Sequence, residues 1–458
     1  MRIKISRLGP IKEANIKIND LTILIGDNNA GKTYITYSVF GLLNYFNSPP
    51  EPYFERFLYG SAEKSLFQNK EGKSIVRIPL DSLKGIFDRS NKEVGGKRYN
   101  EFLKLLFNDK GEDLISQESF IEPVFDPEDI QIETHSKDKN KLFKELSSKV
   151  IGEELVIQFE TTENYPSESG KRELFFFLSR ELVIGFKSKP FLFTAERLGI
   201  ALFYKELDAA RNSIIQELQA AGSNGTGQID LNVILRRSSA YYAFAIKQNI
   251  DYTREIESYT NQLASIENKY ILNLFEKLAG GTYSKLPNEE IHFLSSNTKN
   301  VFNIPLYLAS SSARALSDIY FYLKHLAKSG QVLMIDEPES HLTLDKQRLM
   351  ARLIVAIVNS GIKVWITTHS DFLLREINNL IILSKNAGNK HKFLENFSEE
   401  YSELDFINPS RVSIYSVQNG LVHDVPVTQN GMGQTIFDEA IQKSNDLSGL
   451  LEYYFSND

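Results

Sequence analysis

The 458-residue chain contains no cysteine. That excludes a disulfide scaffold, zinc ribbons, iron–sulfur ligation and a cysteine nucleophile together. Histidine is scarce too. The seven, at 135, 292, 325, 341, 369, 391 and 423, never fall at metal-motif spacing, which argues against a histidine-rich metal site. No uninterrupted apolar run approaches the roughly 20 residues of a membrane-spanning helix. Met1-Arg2-Ile3-Lys4-Ile5 runs straight into an alternating pattern without a signal-peptide stretch. Neither charge sign dominates: 52 Lys and Arg against 59 Asp and Glu leave −7. This leans against a nucleic-acid partner, although a local basic stripe stays compatible with it. Apolar residues make up 42% and charged ones 24%, the proportions of a globular chain with two or three lobes. The expectation is a cytoplasmic protein without membrane contact.

The ends of the chain are the readable parts. Ile3, Ile5, Ile16 and Ile18 alternate with polar residues, Gly9-Pro10 marks a turn, and Leu21–Ile25 is a compact apolar run, so residues 1–25 read as two short strands. A helix begins near Lys32 and is broken at Asn47–Pro52. Short strand-like pieces, Leu155–Phe159 and Leu174–Leu178, lie between charged loops such as Asn108–Asp113 and the lysine-bearing His135–Lys144. A helix over Tyr204–Ala221 precedes the break Gly222–Gly227. A second, over about Tyr252–Leu278, carries Ile256, Tyr259, Leu263, Ile266 and Tyr270 at steps of three and four. That is a short coiled-coil-like seam, consistent with a stubby helical hairpin. Towards the end, strands at Val332–Ile335 and Ile362–Thr367 flank a helix at Leu344–Asn359, the alternation of a parallel sheet. The fold class is therefore α/β. Its parts are a core in two pieces (1–60 and 286–385), an inserted mixed lobe (61–200), a helical hairpin lobe (201–285) and a C-terminal α/β extension (386–458).

Gly26-Asp27-Asn28-Asn29-Ala30-Gly31-Lys32-Thr33 fits the phosphate-loop pattern at every fixed position. Glycines let the backbone N–H groups turn inward, Lys32 neutralises the β- and γ-phosphates, and Thr33 offers a hydroxyl to Mg²⁺. Tyr34 continues into the helix. The predicted ligand is ATP with Mg²⁺, held by Gly26 through Tyr34. Such a loop needs an acidic partner, and Val332–Pro338 supplies it: Asp336 for the metal, Glu337 to polarise the attacking water. Taken alone, an acidic pair before proline also starts helices. The strand ending in Thr367-Thr368-His369 then sets an imidazole beside the γ-phosphate.

These three elements in this order resemble the ATP-binding cassette superfamily, in its soluble branch of SMC, RecF and OLD-type ATPases. In Leu308–Leu316, Ser310 matches the signature serine and Arg314 a recurrent basic position, while Ser311 and Ser312 replace two glycines. The resemblance implies a head-to-tail dimer, or a higher homo-oligomer, in which Ser310, Ser311 and Ser312 reach the nucleotide held by the partner's loop. Pro338–Leu342 resembles the loop that communicates across that dimer, with Thr343 where an aspartate is usual. No counterpart of the lid glutamine is assigned. Roughly 300 residues separate Lys32 from Asp336, more than a transporter cassette needs and too few for SMC-length arms. The residues after His369 hold no paired Asp-x-Asp constellation, so a fused TOPRIM nuclease is not expected.

Further segments resemble the stand-alone ATPases of bacterial anti-phage systems, such as PtuA of Septu and AriA of PARIS. They are Phe193-Thr194-Ala195-Glu196-Arg197, His369-Ser370-Asp371, Asn378-Asn379-Leu380, Asn408–Val412, Gly431 and Phe437-Asp438-Glu439. Arg197 reads equally as a motif residue or as a structural salt bridge at a strand end. The resemblance implies an ATP-hydrolysing switch with catalytic Lys32, Glu337 and His369. It would control a separate effector such as a nuclease encoded nearby, with a phage-derived trigger. Two alternatives stay open: a RecF/SMC-like ATPase of DNA repair, and a nucleotide-gated scaffold with little turnover.

Overall fold

Among the described residues nine strands make the large sheet, and five neighbours in it run parallel. The computed structural model describes residues 1–47, 68–70, 73–81, 103–104, 106–108, 115–124, 133–134, 143–161, 190–203, 242–259, 269–285, 291–296, 302–385 and 390–455. Its large sheet comprises β1 (Arg2–Leu8), β2 (Ile11–Lys17), β3 (Leu21–Gly26), β4 (Ile115–Val124), β5 (Phe191–Phe193), β6 (Val332–Asp336), β7 (Lys363–Thr368), β8 (Val412–Gln418) and β9 (Leu421–Val425). They lie in the order β5-β6-β7-β3-β8-β9-β2-β1-β4. The run from β5 to β8 is parallel throughout. The β1–β2 hairpin and β4 pair antiparallel at the far edge.

Residues 1–26 thus form three strands where the pattern suggested two. The turn at Gly9-Pro10 divides β1 from β2, and β3 follows as a separate strand. Sheet membership also cuts across the sequence segments. Strands β4 and β5 come from the 61–200 stretch, and β8, from the 386–458 stretch, pairs directly with β3. Five further strands described within 61–200 form a separate antiparallel sheet, in which Glu154–Thr161 contains the expected Leu155–Phe159 piece. Gly222–Gly227, Leu174–Leu178, Tyr204–Ala221 and most of His135–Lys144 lie outside the described residues.

All six residues of β3 are buried, because both faces of the sheet are covered. Alternation then sorts side chains between two cores. Leu21, Ile23, Ile25, Leu333, Ile335, Val364 and Ile366 enter one cluster; Leu24, Val332, Met334 and Trp365 enter the other. Helix α1 (Lys32–Asn47) covers the second face with Ile35, Val39, Phe40 and Leu43. The first is covered by α2 (Phe244–Tyr259), α3 (Lys269–Ala279), α4 (Ser311–Phe321), α5 (Leu344–Asn359) and α6 (Asp371–Leu383). The helix expected over Tyr252–Leu278 is seen as α2 and α3, with 260–268 outside the described residues. Ile256 of the seam is buried in the main core. Helix α5 has the predicted bounds. Among the described residues no helix is long and apolar enough to cross a membrane.

Register settles where the site forms. Asp336 pairs with Thr367, and Thr368 pairs with Ile25. The C-terminal ends of β6, β7 and β3 therefore open side by side, the position at which parallel sheets present ligand-binding loops.

Candidate functional site

The loop after β3 is built by glycine at two places. A side chain at Gly26 would press on the Val417 carbonyl of β8, and Gly31 has φ +103 and abuts Ile11. Asn29 also adopts a left-handed φ of 63°, which asparagine tolerates. Ala30 N–H donates to Asp27 O at 3.2 Å. Lys32, 7% exposed, donates from Nζ to Gly26 O at 2.8 Å and to Asp27 O at 2.9 Å. Its ammonium lies across the loop. Burial pushes its pKa down, while Glu337, Asp336, Glu339 and Asp27 pull it up.

Thr33 Oγ1 donates to Asp336 Oδ2 at 3.1 Å, and Thr367 Oγ1 donates to Asp336 Oδ1. Burial lifts the Asp336 carboxyl to about 6; the Thr367 and Thr33 hydroxyls oppose the rise and the Glu337 charge adds to it. A carboxylate and a hydroxyl in contact form a hard-oxygen pair of the kind Mg²⁺ takes, so the residues fit the implied ion.

Glu337 sits at the turn after β6 with φ 50°, held by its own N–H, which donates to Thr367 O at 3.2 Å. Its Oε2 accepts from Ser340 Oγ at 3.1 Å. His369 Nδ1 lies 3.4 Å from Glu337 Oε1 and 3.4 Å from Glu339 Oε1. Glu339 is 3% exposed, and its Oε1 accepts from Thr368 Oγ1 at 2.7 Å and from His369 N–H at 2.9 Å. One buried carboxylate thus pins the end of β7 that presents the imidazole. These groups line a cavity of about 700 Å³ together with His341 and Gln347.

The structure brings Lys32, Thr33, Asp336, Glu337 and His369 to neighbouring strand ends. It does not bring the serines of 310–312 among them. Ser310 caps α4, accepting from Ala313 N–H at 3.2 Å, and its Oγ lies 3.1 Å from Ser312 Oγ. Among the described residues no hydrogen bond joins Ser310, Ser311 or Ser312 to the Lys32 loop. Arg314 donates to Tyr307 O at 2.9 Å, bracing the segment before the cap.

Two residues were not assigned a site role from sequence. Glu339 could have been found by its place in the acidic run Asp336-Glu337-Pro338-Glu339. Arg197, 1% exposed, forms no salt bridge among the described residues: its guanidinium donates to the main-chain carbonyls of Asp336 and Glu337. Several other motif residues are scaffold contacts. Asn378 Oδ1 accepts from Met432 N–H at 2.8 Å, and Arg411 joins Asp20 at 2.7 Å and Asn359 at 2.8 Å. Asp438 caps the last helix through Thr435 N–H at 2.8 Å.

Comparison with solved structures returns Smc head domains. One, bound to the C-winged helix domain of ScpA, is 11% identical over 93% of this chain and 96% of that one, with TM-score 0.33. Another, with an extended coiled coil and bound to the C-terminal domain of ScpA derived from Pyrococcus furiosus, is 12% identical over 98% of each chain, TM-score 0.32. The SMC head domain from Thermotoga maritima is 11% identical over 93% and 98%, TM-score 0.29. Scores at this level assign no fold by themselves. Comparison with curated proteins returns no match. The family comparison is decisive: residues 1–374, which hold the Lys32 loop, the Asp336–Glu337 pair and His369, match the AAA ATPase domain, and the chain belongs to that family of ATPases.

Proposed function

We propose that this protein is an ATP-hydrolysing switch that acts as a head-to-tail pair and controls a separate effector in anti-phage defence. The observation that carries the hydrolytic reading is the contact of Glu337 with His369 and Ser340 in the cavity lining, next to the Thr33–Asp336 pair. Lys32 and the inward N–H groups of the loop would take the phosphates. Thr33 and Asp336 would hold Mg²⁺, which when bound screens the charge of the phosphates. Glu337 would accept a proton from the water that attacks the γ-phosphorus. His369, with Nδ1 facing two carboxylates, would offer its other ring nitrogen to the γ-phosphate.

The serines of 310–312 stand apart from this loop, as a residue set serving a partner's nucleotide would. Tyr307 and Leu308 beside them are 59% and 65% exposed, and Leu344 and Phe372 at the cavity are 50% and 46% exposed. Apolar side chains on both faces suit burial against a second copy. The defence role and the effector rest on the resemblance of the motifs.

The test is Mg²⁺-dependent ATP turnover by wild type and Glu337→Gln, with gel filtration in ATP. The variant should lose about a hundredfold or more in kcat and elute as a dimer. Wild type as slow as the variant would leave a nucleotide-gated scaffold. Salt-sensitive DNA retention by the closed dimer would favour the repair reading.

A further inference from the structure

Arg197 is a buried cation that none of the roles above uses. Its two Nη groups donate to main-chain oxygens: Nη1 to Asp336 O at 2.9 Å and to Thr194 O at 3.4 Å, and Nη2 to Glu337 O at 2.8 Å. One planar fork thus grips two consecutive carbonyls of the acidic turn. Glu337 occupies the left-handed region, φ 50°, which a residue with a side chain keeps only where its surroundings over-determine it. Here its N–H is taken by Thr367 O and its carbonyl by Arg197, so the peptide is clamped from both sides. Relaxation to ordinary backbone angles would swing the carboxylate away from His369.

The arginine's own segment is tethered. Asn249 of α2 accepts from Thr194 N–H at 2.9 Å and donates to Leu192 O. One turn further on, Thr253 Oγ1 donates to Asp318 Oδ2 at 2.9 Å, and Tyr252 OH donates to Asp318 O at 3.1 Å. Asp318 lies on α4, the helix that Ser310 caps. Buried hydrogen bonds therefore run from the serine-capped helix, through α2 and β5, to the backbone of Glu337.

We propose that Arg197 is a positioning residue for Glu337: it locks the Asp336–Glu337 backbone so that the carboxylate faces the cavity, from a segment tied to α4. The kinetic part of this inference rests on the hydrolytic reading of Glu337; the backbone part does not. A cation among Asp336, Glu337 and Glu339 also balances charge, which a lysine would do. The two-pronged donation is what a lysine lacks.

The experiment compares Arg197→Lys and Arg197→Gln with wild type by hydrogen exchange over Asp336–Leu342, ATP turnover, and affinity for a fluorescent ATP analogue with Mg²⁺. Arg197→Lys should speed exchange about tenfold or more. It should lower kcat about tenfold or more with analogue affinity within about twofold. In the double variant with Glu337→Gln it should slow turnover no further than Glu337→Gln alone. Unchanged exchange in Arg197→Lys overturns the proposal whatever turnover does. So does a loss of analogue affinity equal to the loss of kcat, or a double variant slower than Glu337→Gln. Arg197→Lys decides should Arg197→Gln fail to fold. A wild type without turnover removes the hydrolytic reading, and the exchange comparison still judges the clamp.

Discussion

Thr33 Oγ1 and Asp336 Oδ2 meet at 3.1 Å across 303 residues of chain. The cost of so long a closure is modest, because loop entropy grows only with the logarithm of length. Strands β3, β7 and β6 bear it, lying parallel and in register so that their C-terminal ends coincide. The inserted sequence can therefore sit between the two halves without spoiling the contact.

That contact predicts a metal-specific defect. Asp336→Asn keeps the side chain's shape and removes the charge an ion would meet. Calorimetric titration with an ATP analogue should show affinity lowered about tenfold in Mg²⁺, equal to about 1.4 kcal/mol, and unchanged in EDTA. An equal loss in both media would make Asp336 a general support of the loop instead.

Two glycines separate backbone strain from crowding. Gly31 (φ +103) would place an added methyl on Ile11, whereas Gly152 (φ +61) has nothing within 4 Å. Gly152→Ala should cost about 1–2 kcal/mol in urea unfolding from the left-handed angle alone. Gly31→Ala should cost more than that, and should also lose nucleotide binding as the loop shifts. Equal costs would mean that Ile11 yields freely.

What was legible in the sequence was local. The glycines, Lys32 and Thr33 sit in one continuous stretch, and β6, α5 and β7 announce themselves by apolar runs and periodicity. What was not legible is non-local. Strand β5 has three residues and joins β6 only through the tertiary fold. Nothing in residues 386–458 shows that Val412–Gln418 would pair with β3. Arg197 was half seen, because its partners are carbonyl oxygens, which every residue carries and no motif records. Helix α2 begins at Phe244 rather than Tyr252, since its first turns pack on strand and helix neighbours rather than repeating the seam.

Asp318 predicts a pH dependence. Burial lifts its carboxyl from 3.8 to about 6, against the Thr253 and Ser317 hydroxyls and the charge of Arg197. Between those values the folded chain holds a proton that the unfolded chain has released. For this group, then, stability is greatest below about pH 4 and falls as pH rises through about 6. Asp318→Asn removes that slope, and its amide can donate to Thr253 Oγ1, whose one proton, given to Asp318 in wild type, can then go to Asn249 O. Urea unfolding should find the variant near wild type at about pH 4.5 and more stable at about pH 8, by at most about 2 kcal/mol. A difference that does not change with pH would show that the carboxyl does not titrate there.

Trp365, the sole tryptophan, is fully buried and reports on the helix behind the phosphate loop. Its Nε1 donates to Thr36 Oγ1 at 3.0 Å, tying β7 to α1 just past Lys32. Thr36→Val keeps the volume and leaves the indole N–H buried without an acceptor, which costs about 1–3 kcal/mol. Thr36→Ser keeps the acceptor and should recover most of that. Urea unfolding followed by tryptophan emission measures both, since one fluorophore reads the transition. A nucleotide that draws α1 against the phosphates should also alter the emission of folded wild type, with a smaller response in Thr36→Val. A silent indole at saturating ATP would mean that the helix stays fixed on β7 while the loop alone adjusts.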